Sequence, residues 1–364
     1  MDLRHITKNI EDYLRERFWA SAKIAGMREL GGPSTVGEKE LKGFGYGKPY
    51  LIEFTVEGER RSAVLSSMKQ DRFGHDHFSD RAQDLLWQHS ACNTLPRHVR
   101  SLDVGYFTSD GRLISAGEAE EYFIVREKAE GVEYYHDLDR IKTEGITKLD
   151  EARAVTLSSY LTEIHSVKRD DPNLYIRRVR DLVGHGECIM GLIDSYPKDL
   201  GFISWRELSE IERKCVDWRW RLKERTARLC QVHGDFHPFN VLFREGTDFS
   251  LLDRSRGEWG EAADDLSSMS INYIFFSLMA HGRLEGGFKS LFDLFFRNYL
   301  RHSGDDSILE VIPPFYAFRG LVIASPIWYP HLELEVRTKL FKFIKNVLEL
   351  ERFDPTRVNE YLEA

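Results

Sequence analysis

Two short stretches hold the side chains that phosphoryl chemistry would use. His233 to Asn240 reads HGDFHPFN, and the run FSLLD ends at Asp253. Transfer of a phosphoryl group needs a carboxylate that aligns the attacking hydroxyl and accepts its proton. It also needs oxygen ligands for a Mg²⁺ that bridges phosphates. Asp235 fits the first role. Asn240 and Asp253 fit the second, with one neutral amide oxygen and one carboxylate. Two other readings stand beside this one. Histidines and aspartates also satisfy backbone groups in ordinary polar turns. His233 and His237 have the spacing of a zinc pair, but that spacing faces one ion only on a helix, and Gly234 and Pro238 oppose a helix here.

These residues need elements to hold them. Leu229 to Val232, Val241 to Phe243 and Phe249 to Leu252 have strand character, with the turn Glu245-Gly246-Thr247-Asp248 between the last two. Asn240 and Asp253 then flank a hairpin and meet at one end of it. The surroundings are helical. Leu157, Tyr160, Leu161, Ile164 and Val167 mark one helix face, and Trp205–Arg228, Asp265–Ala280, Phe288–Arg301 and Glu335–Leu350 read as helices. Residues 40–127 differ. Leu51 to Val56 and Arg60 to Leu65 form a hairpin pattern about Glu57-Gly58-Glu59, Tyr122 to Val125 reads as a strand, and Phe78 to His89 as a helix. Residues 1–30 are expected to be helix leading into this region.

Bulk properties narrow the classes. A chain of 364 residues exceeds one ordinary core, so two lobes are expected. It is 42% hydrophobic and 30% charged, as globular proteins are. Apolar runs stay below the ~18 residues of a membrane span, and no apolar segment follows Met1-Asp2-Leu3-Arg4-His5, so neither a membrane anchor nor a secretory leader is expected. Cys92, Cys188, Cys215 and Cys230 are scattered, which fits a reduced, cytoplasmic setting. A net charge of −8 without a long basic run argues against nucleic acid as a partner.

VHGDFHPFNVLF followed by FSLLDRSRGEWGEAADDLSSM resembles the aminoglycoside phosphotransferase and choline kinase-like family, relatives of the protein kinases. YLTEIHSV, at Tyr160 to Val167, is similar to that family's helix ending in His-Ser. The likeness spans roughly residues 40–350. It implies an α+β, bilobal protein kinase-like fold: a β-rich nucleotide lobe over residues 1–130 and a helical lobe over 131–364 with the catalytic loop and acceptor site. It implies ATP and Mg²⁺ as cofactors and a small-molecule hydroxyl as acceptor. Asp235 corresponds to the base, Asn240 and Asp253 to the metal ligands, and His233 and Asp265 to residues bracing the loop. Gly260-Glu261-Ala262 stands where the family has Gly-Asp-Pro, while Asp265-Leu266 is kept.

The resemblance also places the nucleotide. Gly43, Gly45 and Gly47 in KGFGYGKPYLIEF would form the turn over the phosphates, with backbone N–H groups approaching closely. Glu127 and Lys128 in FIVREKAEGVEY would meet adenine through their backbone, and Gly131 would allow the turn. One departure stands out: SAVLSSMK carries no cation where the family's third strand has one. Lys69 and Lys48 are the substitutes at hand. The expected activity is phosphoryl transfer to an amino alcohol, sugar-like or aminoglycoside hydroxyl. The competing expectation is a pseudokinase that binds nucleotide, or a partner, without chemistry. Glu258, Glu261 and Asp264 could hold a cationic acceptor and Trp259 could stack on it. Acceptor identity and oligomeric state are not legible.

Overall fold

The computed structural model describes residues 3–30, 47–198 and 200–363. They fall into two compact units, Met1–Arg126 and Glu127–Ala364.

The first unit contains α1 (Leu3–Arg17), β1 (Lys23–Glu29), β2 (Gly47–Val56), β3 (Glu59–Met68), α2 (Phe78–Cys92), β4 (Gly105–Phe107) and β5 (Leu113–Ser115). β1, β2 and β3 make an antiparallel sheet in that order, and β4 pairs with β5. Side chains alternate across a strand. Ile52, Phe54 and Val56 of β2 therefore share one face, and they form a small core with Ile10 and Leu14 of α1.

Two expectations need correction in this unit. The first thirty residues are not helix throughout, because Lys23–Glu29 pairs with β2 as a strand. Tyr122 to Val125 is not a strand: it lies in an irregular stretch, with Phe123 89% exposed. Strand propensity reflects packing against a neighbour, and no described strand pairs with this segment.

The second unit opens with β6 (Val132–Glu133), α3 (Tyr135–Glu144), α4 (Lys148–Ser166), α5 (Pro172–Gly184), α6 (Ile189–Ser195) and α7 (Trp205–Leu222). The expected helix over Trp205–Arg228 thus stops six residues early, and Thr226–Arg228 is a 3-10 turn. Then come β7 (Cys230–Gln231), β8 (Val241–Phe243), β9 (Phe249–Leu251) and β10 (Trp259–Gly260). β6, β8 and β9 form one small sheet, and β10 pairs with β7. α8 (Ala262–His281), α9 (Gly286–Ser303), α10 (Pro313–Ala324), α11 (Leu334–Val347) and α12 (Val358–Glu363) complete it. α8 is apolar on nearly every side and is buried from Ala262 to Leu278 except at Asp264. That is the pattern of a helix enclosed by others. Phe292, Phe295 and Tyr299 of α9 and Phe318 of α10 fill the same core.

The chain is thus α+β, with small sheets and a large helical part. No described helix is long and apolar enough to cross a membrane.

Candidate active site

The β8–β9 hairpin sets the geometry. Val241 pairs with Leu251, Leu242 with Ser250 and Phe243 with Phe249. The ladder runs one step further, because the Leu252 N–H donates to the Asn240 carbonyl at 2.9 Å. Asn240 and Asp253 therefore stand at the same open end. Asp253 has φ +51°. Side chains other than glycine rarely hold such a backbone, and residues that do gather at functional sites. Its carboxylate is exposed and has no hydrogen-bond or ion-pair partner among the described residues.

Asn240 is turned by its neighbours. Its Nδ2 donates to the Asp235 carbonyl at 3.0 Å and approaches Asp235 Oδ2 at 3.4 Å. Two acceptors fix the orientation of the amide and leave Oδ1 unspent. One free amide oxygen and one free carboxylate at a shared edge suit a hard cation such as Mg²⁺.

Asp235 is half-buried and held on both oxygens. Arg319 Nη1 donates to Oδ1 at 2.5 Å, and Arg256 Nε lies 3.8 Å from the same oxygen. His237 Nδ1 accepts the Phe239 N–H at 3.2 Å and so caps the 3-10 turn Pro238–Asn240. An accepting ring nitrogen leaves the proton on the other one. A proton there can go to Asp235 Oδ2, 3.3 Å away, while Asn240 Nδ2 stands 3.2 Å from the same nitrogen. Burial pushes the Asp235 carboxyl up. The His237 hydrogen bond and the Arg319 and Arg256 charges more than reverse this, and hold it well below the usual carboxylate range.

The loop is anchored from α8. Asp265 accepts the His233 N–H on Oδ2 and the Gly234 N–H on Oδ1, each at 2.7 Å. His165 of α4 reaches Asp265 Oδ2 at 3.2 Å, and its other nitrogen meets Tyr299 OH at 2.9 Å. His233 is buried and its Nδ1 accepts the Asp235 N–H at 3.3 Å. Burial pushes the His233 pKa down. Each histidine of the motif therefore has a separate task, and the segment is a turn rather than the helix a zinc pair would need. Gly234 has φ +85°, and a Cβ there would lie 3.2 Å from Arg256 Cβ. Glycine is required for both reasons.

The other expected residues lie apart from this group. Gly43 and Gly45 are outside the described residues. Gly47 is the first residue of β2, paired with Met68, and not part of a turn. Lys48 pairs with Ser67 in the same ladder, and Lys69 is exposed just beyond Met68. These three positions share one end of the β2–β3 ladder in the first unit. Glu127 and Lys128 are exposed in irregular backbone, with Lys128 Nζ on Glu130 Oε1 at 2.8 Å. Gly131 has φ +142°, and a Cβ there would lie 2.9 Å from Leu242 Cβ.

Most of the groups suggested for a cationic acceptor are already engaged. Glu261 takes both Arg228, at 2.8 Å, and Tyr175 OH, at 2.8 Å. Asp264 takes Arg319 at 2.6 Å. Arg169 sits 5.4 Å over the Trp259 ring. Arg319 and Arg256 were not foreseen. A signal did exist for Arg319: it is the one charge in the apolar run PPFYAFRGLVIA, and buried charges are almost always paired.

Residues 112–288 match the model of the phosphotransferase enzyme family. No curated protein matches the chain. Among solved structures, it is similar to an amicoumacin kinase in complex with AMP-PNP and Ca²⁺, at 16% identity and a TM-score of 0.42 over 85% of this chain and 89% of that one. A choline/ethanolamine kinase family protein from Mesorhizobium loti aligns at 11% identity and a TM-score of 0.38 over 85% and 88%. A Plasmodium vivax ethanolamine kinase aligns at 13% identity and a TM-score of 0.35 over 94% and 80%. The family match encloses His233, Asp235, Asn240, Asp253 and Asp265, and over residues 112–288 the chain is similar to the phosphotransferase enzyme family.

Proposed function

We propose that the protein transfers the γ-phosphoryl group of ATP to a hydroxyl of a small molecule. The observation that carries this reading is the open end of the β8–β9 hairpin. There Asn240 is bonded to Asp235, and neither its Oδ1 nor the Asp253 carboxylate has a partner among the described residues. Mg²⁺ held by Asn240 and Asp253 would neutralise phosphate charge and fix the group in transfer. Asp235 orients the acceptor hydroxyl. As the hydroxyl oxygen bonds to the γ-phosphorus, the bond to the β–γ bridging oxygen breaks, ADP leaves with that electron pair, and the proton passes to Asp235. In the first unit, the β2–β3 ladder end with Gly47, Lys48 and Lys69 is the segment assigned to the nucleotide phosphates. Glu127 and Lys128 are assigned to adenine.

Binding of nucleotide without transfer is the competing reading. The engagement of both Asp235 oxygens favours it. The deciding experiment incubates the purified protein with ATP, Mg²⁺ and a panel of amino alcohols, sugars and aminoglycosides. Acceptor-dependent ADP release supports transfer. Mg²⁺-dependent ATP binding with no release across the panel supports the competitor.

A further inference from the structure

Arg319 is 6% exposed in the middle of α10, a helix otherwise without charge. One edge of its guanidinium is fully used. Nη1 donates to Asp235 Oδ1 at 2.5 Å, and Nη2 donates to the Gly234 carbonyl at 2.9 Å and to Asp264 Oδ1 at 2.6 Å. Its Nε is buried with no hydrogen-bond partner among the described residues. A buried donor left unsatisfied is costly, so the side chain is oriented by the two carboxylates and not by its own complete satisfaction. The helix is fixed in turn. Gly320 faces α11, where a Cβ would lie 2.7 Å from Ile344 Cγ1.

The two oxygens of Asp235 are held unequally. Oδ1 has the 2.5 Å contact to a cation. Oδ2 has contacts of 3.3 Å to His237 and 3.4 Å to Asn240. A planar guanidinium that grips Oδ1, with its other nitrogen on the preceding carbonyl, fixes both the backbone and the carboxylate plane. We infer that Arg319 is a positioning residue for the transfer. It anchors Oδ1 so that Oδ2 is the oxygen presented to the acceptor hydroxyl, and Asp264 holds Arg319 in place. This inference rests on the phosphotransferase reading above.

Replacing Arg319 alone would strip Asp264 of its partner and Asp235 of its nearest cation, and could unfold the protein. The test therefore uses the charge-balanced pair Arg319→Met with Asp264→Asn, plus Arg319→Lys, which keeps charge but loses the fork. Steady-state kinetics are measured with ATP and an acceptor found in the panel screen. The charge-balanced pair should lower kcat by about 10- to 100-fold, as loss of a group orienting a catalytic ligand does. KM for ATP should stay within about twofold, since Arg319 is not proposed to touch nucleotide. Arg319→Lys should restore part of kcat. In an Asp235→Asn background the charge-balanced pair should cost nothing further, because its effect passes through that carboxylate. Unchanged kcat, or losses that multiply in the Asp235→Asn background, overturns the inference and leaves the phosphotransferase reading standing. A parent without transfer, or an Asp235→Asn variant with full turnover, overturns both.

Discussion

Asp264 and Asp265, adjacent in the first turn of α8, grip opposite sides of Gly234. Asp265 accepts its N–H directly, while Asp264 holds Arg319, whose Nη2 donates to its carbonyl. Two neighbouring carboxylates thus fix the two peptide groups that flank one α-carbon, immediately before Asp235.

Asp265→Ala removes the acceptor for two buried backbone N–H groups and the partner of His165. The expected cost is about 3 kcal/mol or more, from groups left unsatisfied. Asp265→Asn keeps one acceptor oxygen and should fall between. Urea unfolding of the three proteins ranks them; equal midpoints would show that Asp265 does not brace the loop.

Asp253→Gly should separate function from stability. The residue is exposed and has no partner among the described residues, and its φ of +51° suits glycine. Stability should change by less than about 1 kcal/mol. Mg²⁺-dependent ATP affinity should disappear, because a hard cation loses its carboxylate. Calorimetric titration with ATP, with and without Mg²⁺, gives the answer. A variant that keeps the parent's magnesium dependence removes Asp253 from the metal site.

Asp235→Asn keeps the side chain's shape and removes its charge. Turnover should fall about 10²–10⁴-fold while Mg·ATP still binds. Loss of nucleotide binding instead would place Asp235 on the nucleotide and not on the acceptor.

Gly131→Ala is predicted to destabilise the second unit by about 2 kcal/mol or more. The backbone sits at φ +142°, and the new Cβ would press on Leu242 Cβ at 2.9 Å and the Phe243 carbonyl at 3.0 Å. A thermal midpoint equal to that of the parent would contradict this close approach.

Acid should weaken the α7–α11 contact. Glu207 accepts the Ser204 N–H at 3.0 Å, closing the capping box of α7, and takes Lys345 of α11 at 3.0 Å. These hold its carboxyl near a pKa of about 2, with the backbone hydrogen bond the largest cause. A lowered carboxylate stabilises the fold above its unfolded value, and that contribution is lost as pH falls toward the folded one. Glu207→Ala should cost about 1 kcal/mol at neutral pH. The gap to the parent should stay level from pH 8 to about 5 and close between about pH 4.5 and 2. A gap that persists at pH 2 would exclude ionisation as its origin.

Much of the loop region was legible. Val241–Phe243 is a strand with the bounds the sequence suggests, and Phe249–Leu252 differs by one residue. Short apolar runs separated by Glu-Gly-Thr-Asp leave few alternatives to a hairpin. The proximity of Asn240 and Asp253 follows from that pairing alone. The contact of Arg319 with Asp235 was not legible, because the two lie 84 residues apart and meet only through packing of α10. No local periodicity encodes that contact. The carboxylates after Asp253 misled for the same reason: Glu261 and Asp264 look free in sequence, but their arginine partners come from distant elements. Tyr122 to Val125 shows the opposite failure, strong strand character without a strand to join.

The anchoring of the loop on α8 has a further consequence, for exchange with solvent. The amide protons of His233 and Gly234 are bonded to Asp265, the fourth residue of a helix enclosed by the core. Loop amides usually exchange through small local openings. These two have no such route, because releasing them means displacing the start of α8. Their protection should match that of the slowest core amides, so this part of the loop would lose its shape only when the whole second unit does.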